Sequence, residues 1–145
     1  MPSWRDGSAV SGAAQAKGNK TLYAFCSQAN CTDGTTPVAG LVTDSAGNLY
    51  GATEYGGSCS DSRGCGVAFA LTPKGAETVL YTFGTTMGAY LQCTLLRDKA
   101  GNLYGTTGTG TVFKLAPDGA ATLLYVFGGA DFPVAGVISD KAGNL

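Results

Sequence analysis

Cysteines are the residues in this sequence best equipped for chemistry, and four of the five come in close pairs. Cys26 and Cys31 bracket "CSQANC", and Cys59 and Cys65 bracket "CSDSRGC". Oxidised, each pair is a local staple, Cys26–Cys31 and Cys59–Cys65, of the kind that persists in an oxidising compartment. Reduced, four thiolates could hold a soft metal ion, yet neither pair has the two-residue spacing of a zinc knuckle. The spacing favours staples, and nothing else in the chain calls for a metal or a cofactor. Cys93 stands apart in an apolar stretch, where a thiol packs as a small hydrophobe. No histidine exists to activate it. That absence also removes Ser-His-Asp and Cys-His nucleophile pairs and every His-based zinc site.

Carboxylates are the other reactive groups, ten in all. Glycoside hydrolysis needs two of them facing each other at a set separation, and the sequence singles out no such pair. No catalytic residue can be named from it. Asp44, Asp98 and Asp140 do recur, in "DSAGNLYG", "DKAGNLYG" and "DKAGNL". A calcium loop needs several carboxylates in succession and a bidentate Glu. Each of these stretches offers one Asp and one Asn, which is the chemistry of a capped turn. Tyr50 and Tyr104 repeat at one strand position, and Tyr81 and Tyr125 at another. They could stack on sugars, but packing between repeated units explains a recurring aromatic more simply.

The recurrence itself defines the elements that hold these groups. "GVAFALTPKGAETVLYTF" from Gly66 returns as "GTVFKLAPDGAATLLYVF" from Gly110, and "TLYAF" at 21–25 matches the tail of the same phrase. A period of about 40–50 residues is that of a propeller or solenoid unit. Each unit reads as four strands: Val38–Asp44, Asn48–Thr53, Gly66–Thr72 and Thr78–Phe83, then Gln92–Asp98, Asn102–Thr107, Thr111–Leu115 and Thr122–Phe127. Gly-rich turns, few charges and many Thr, Val, Tyr and Phe agree with short strands. The fold class is therefore all-β, built of β-propeller blades, each a four-stranded antiparallel sheet. Residues 38–83 and 91–127 form two complete blades, and 21–25 and 133–145 belong to partial ones. Residues 1–20 read as a disordered leader with no signal-peptide core. Two blades leave open sheet edges. Further blades of the same chain, or self-association, are expected to cover them.

At "AGNLYGTT", "GTVFKL" with "PDG", and "LYVFGG" followed by "PVAGVI", the pattern resembles the GloVer tandem-repeat family over about residues 21–145. In that family such units occur in bacterial proteins with varied C-terminal surface anchors. The resemblance implies a secreted or cell-surface repeat protein without established catalytic activity. The first unit departs from the pattern at Ala68 and Ala70, where the second has Val112 and Lys114.

In a meander blade the connections carrying the two cysteine pairs emerge at one end, so both decorate a single loop face. The residues that vary between units there are Asp33, Tyr55, Asp61, Arg63, Tyr90, Asp131 and Phe132. They are the candidate ligand-binding residues, since recognition resides in loops on a rigid scaffold. Asp61 and Arg63 could equally be a solvated surface pair. A net charge of −1 gives no reason to expect nucleic acid, and no apolar run approaches the roughly 20 residues that cross a bilayer. The function these features favour is a non-enzymatic scaffold binding an extracellular glycan or protein. The alternatives are part of a carbohydrate-active propeller enzyme whose catalytic residues lie elsewhere, or a structural spacer.

Overall fold

The computed structural model describes residues 18–129 and 132–145. Strands β1 (Val42–Thr43), β2 (Leu49–Ala52), β3 (Val67–Leu71) and β4 (Glu77–Thr82) form one antiparallel sheet in meander order. Strands β5 (Leu96–Arg97), β6 (Leu103–Thr107), β7 (Thr111–Leu115) and β8 (Ala121–Val126) form a second sheet with the same order. These are the two blades. Their registers coincide: Gly51 faces Phe69 in the first, and Gly105 faces Phe113 in the second. Both third-to-fourth strand pairings also slip at the same place, between Ala68 and Phe69 and between Val112 and Phe113. Glycine is required opposite each phenylalanine, because a Cβ on Gly51 or Gly105 would run into the aromatic ring.

The first strand of each blade is much shorter than Val38–Asp44 or Gln92–Asp98. Only Val42–Thr43 and Leu96–Arg97 pair. In the residues leading into them, side chains take over bonds that a ladder would otherwise make. The Gly40 amide donates to Thr94 Oγ1 of the neighbouring blade at 3.0 Å. The Cys93 thiol donates to the Thr106 carbonyl and accepts from the Thr106 amide, each at 3.3 Å. Thr106 Oγ1 then donates to the Ala135 carbonyl at 2.8 Å. Cys93 is thus the buried free thiol that its apolar surroundings suggest.

The core lies between the blades. Phe83, at the end of the first blade, packs on Phe113 of the second with ring centroids 4.7 Å apart, and both are fully buried. Ala52, Ala68, Leu91, Leu95, Leu103 and Leu115 fill out the same cluster. Residues 21–25 join neither sheet, but they keep the packing rule. Phe25 lies on Phe69 at 4.7 Å. Tyr23–Phe25, Tyr81–Phe83 and Tyr125–Phe127 repeat one edge-on pair at 5.0–5.1 Å. Residues 133–145 form no strand, although their Asp140 turn is closed. Of the expected leader, residues 18–20 are exposed, and the rest lies outside the described residues.

The recurring aspartates close their turns. Asp44 Oδ1 accepts from the amides of Ala46 and Asn48, both at 2.9 Å. Its Oδ2 accepts from Asn48 Nδ2 at 2.9 Å and from the Tyr50 hydroxyl at 3.0 Å. Asp98 repeats the bonds to Asn102 and Tyr104, and Asp140 those to Ala142 and Asn144. The Asn48 side chain is the main influence on Asp44, and with the amides and Tyr50 it lowers the carboxyl from 3.8 to about 2. Gly47 and Gly101 complete the turns with φ of 85° and 90°, which a side chain would resist.

Candidate functional site

Two loops of the first blade meet at the end remote from the aspartate turns. Cys26–Cys31 closes the loop entering the blade, and Cys59–Cys65 closes the connection between β2 and β3. Backbone bonds sew the two together: Gly57 N–H donates to the Cys31 carbonyl at 2.9 Å, and Thr35 and Tyr55 exchange bonds as an isolated bridge. Asn30, Thr32, Thr35 and the Ser58–Arg63 stretch line the concave surface between them.

Four of the candidate residues converge here. The Tyr90 hydroxyl, from the link between the blades, donates to Asp61 Oδ2 at 2.7 Å. The Arg63 amide donates to Asp61 Oδ1 at 2.9 Å, closing a tight turn. The Arg63 guanidinium stands over the Tyr55 ring at 5.0 Å, and the Tyr55 and Tyr90 rings meet edge to face at 5.7 Å. Asp61, Tyr55 and Tyr90 are half-buried, while Arg63 is exposed. The result is a cation on an aromatic platform, an arrangement that favours the charged side chain without a carboxylate partner.

Electrostatics follow the contacts. The Arg63 amide first, and the Tyr90 hydroxyl second, hold the Asp61 carboxyl below the usual carboxylate range. The same bond from the other side raises the Tyr90 phenol. Tyr90 is also held in the left-handed region at φ 65°, a placement rare for a bulky side chain. Its N–H donates to the Cys65 carbonyl and its own carbonyl accepts from Gly108 N–H, both at 2.8 Å. The stapled loop and the second blade together secure a strained residue. Strain of this kind gathers at functional sites.

The other three candidates lie differently. Asp33 is fully enclosed and anchors the first loop from within. Its Oδ2 accepts from the Tyr23 hydroxyl at 2.8 Å and from the Ser27 amide and hydroxyl at 2.9 Å, and Oδ1 accepts from the Gln28 amide. Enclosure pushes its carboxyl up, but the Ser27 amide, the Tyr23 hydroxyl and the Ser27 hydroxyl outweigh that and bring it to about 2. Phe132 is exposed and takes part in none of the contacts that join the four. Asp131 lies outside the described residues.

Some residues with roles escaped the sequence reading. The hydroxyls of Tyr50 and Tyr104 cap the aspartate turns, which the spacing "DSAGNLY" would have suggested had the turn been followed six residues on. Arg97 was hidden at the end of an apolar strand. Its guanidinium lies over the Tyr50 ring at 5.2 Å, between the blades.

Fold and turns define a tandem-repeat protein of propeller blades. The chain belongs to the Gloeobacter/Verrucomicrobia repeat family, whose pattern it matches over residues 5–145. Among solved structures it is similar to a selenomethionine-substituted virginiamycin B lyase from Staphylococcus aureus, with a TM-score of 0.56 at 13% identity. The likeness covers 75% of this chain and 33% of that one, so the chain spans about a third of that protein. At this identity the likeness shows the fold alone. No curated protein matches the chain significantly.

Proposed function

We propose that the chain acts as a non-enzymatic, extracytoplasmic scaffold whose loop face binds an extracellular ligand, a glycan or a protein surface. One observation carries the reading: Tyr55, Asp61 and Arg63 of a doubly stapled loop pair are joined by Tyr90 of the link between the blades, held in a strained conformation. Tyr and Arg are the residues that most often anchor interfaces. The disulfides are consistent with life outside the cytoplasm. Repeat scaffolds commonly place binding loops on one face of a rigid stack.

A glycan array probed with the chain and with the Tyr55→Ala/Arg63→Ala double variant tests this. Binding that the double variant loses supports the loop face as the site. Binding that it keeps would move the site elsewhere. Each bound glycan is then incubated with the chain, and turnover would replace the scaffold reading with an enzymatic one.

A further inference from the structure

At the opposite end from the loop face, a cavity of about 430 Å³ opens between the blades. Leu71 and Leu80 of the first blade and Leu103, Leu115 and Pro117 of the second give it apolar walls. Arg97 is the one cationic residue in its lining. The guanidinium is stacked on Tyr50. Among the described residues its Nε is buried without a hydrogen-bond partner. Asp44, the carboxylate joined to that tyrosine, is already engaged by Asn48 and the turn amides.

Two departures from the repeat converge on this cavity. Ala70 on β3 stands where the second unit has Lys114, so a long side chain is missing from the wall. Arg97 on β5 stands where the other units have Thr43 and Ser139. One exchange makes room between the blades, and the other adds a charge to that room. A cavity of this size lies within the range of small-ligand sites, which are mainly apolar with a few polar groups fixing orientation. Burying a guanidinium edge without an acceptor is unfavourable unless something supplies one.

We infer that the inter-blade cavity binds a small organic carboxylate, its apolar body between Leu80 and Leu115 and its carboxylate on the Arg97 guanidinium. Arg presents a planar fork that matches a carboxylate. The site is separate from the loop face and does not depend on what that face binds.

Titration of the isotope-labelled chain with 3-phenylpropionate, and separately with its uncharged amide, tests the inference by nuclear magnetic resonance. The expected result is saturable binding of the acid that shifts the amides of Ala70, Ala100, Gly101 and Leu103. The amide should bind about tenfold more weakly, the scale of one lost charge-assisted contact. Arg97→Gln should abolish the preference for the acid. Thr78→Trp, which fills the cavity from β4 without altering Arg97, should block both compounds, while Tyr55→Ala should change neither. Equal binding of acid and amide, shifts centred away from the cavity, or no saturation by the acid would each overturn the inference. The acid–amide comparison is made on the unaltered chain, so a misfolded variant cannot decide the outcome.

Discussion

The two blades share strand order, register, bulge and turn chemistry, and differ in what joins their second and third strands. In the second blade Gly108–Gly110 suffices. Thr107 and Thr111 face each other there with hydroxyls 2.7 Å apart, Thr111 donates to the Met87 carbonyl at 2.7 Å, and Thr109 accepts from the Ala89 amide at 2.9 Å. In the first blade residues 53–66 make the same journey, and Thr53 alone keeps its place. It accepts from the Val67 amide at 3.1 Å and donates to the Tyr55 carbonyl at 2.9 Å. A threonine-bonded turn, tied to the link between the blades at Met87 and Ala89, closes the second blade without a disulfide. The longer loop needs a disulfide and a neighbouring loop to hold it, and in return it displays Tyr55, Asp61 and Arg63. The scaffold stays constant while the connection is free to vary, which is the division of labour expected of loops on a rigid frame.

The largest effect should come from what the blades share. Phe83→Ala opens the joint at Phe113 and is expected to cost about 3–5 kcal/mol by urea unfolding, with both blades melting together. A loss confined to the first blade in hydrogen exchange would show that the blades are independent. Removing the staple should separate them. Cys59→Ser/Cys65→Ser is expected to cost about 2 kcal/mol, the lower end for a disulfide, with faster amide exchange in residues 54–66 and none in 108–110. Thr111→Val removes the corresponding hydroxyl of the second blade and should cost about 1 kcal/mol, sparing the stapled loop.

Acid offers a subtler comparison. Asp33 belongs to the stapled loop alone, whereas Asp44 belongs to the repeated turn, and both carboxyls are lowered from 3.8 to about 2. A lowered folded value means that stability is present above pH 3.8 and is lost as pH falls toward 2. Thermal melts should therefore weaken across that window. Asp33→Asn should remove part of the dependence and loosen the first loop only. The smallest effect is expected of Tyr90→Phe. Stability should change by under about 0.5 kcal/mol, while the Asp61 carboxyl rises toward its ordinary value, as a carbon-13 titration would read.

Much of this scaffold was legible because its signals are local. Asp-x-Ala-Gly-Asn and the two Pro-x-Gly turns dictate where the chain reverses, and alternating apolar residues dictate strands between them. The cysteine pairs were legible because their spacing permits short staples. The first strands misled, because an apolar run such as "PVAGLV" says nothing about whether a partner's hydroxyl or thiol takes the place of the ladder. Asp33 misled for the opposite reason: a polar residue in a loop looks exposed, and only the fold shows Tyr23 and Ser27 closing around it. The Tyr55–Tyr90 contact joins residues from different connections, and Arg97 meets Tyr50 across the gap between units. Contacts of that kind depend on how one blade leans on the next, which no single repeat encodes.

The aspartate turn is complete within a handful of residues and takes its bonds from its own backbone, its own asparagine and, in two copies, the tyrosine that follows. Asp140 forms it as Asp44 and Asp98 do. The bonds that close a junction of that kind all come from within one repeat. If genes of this type gain or lose units by unequal crossing-over, a breakpoint inside "AGN" would join two halves that already fit. Lineages could then lengthen or shorten the protein without first re-evolving a seam.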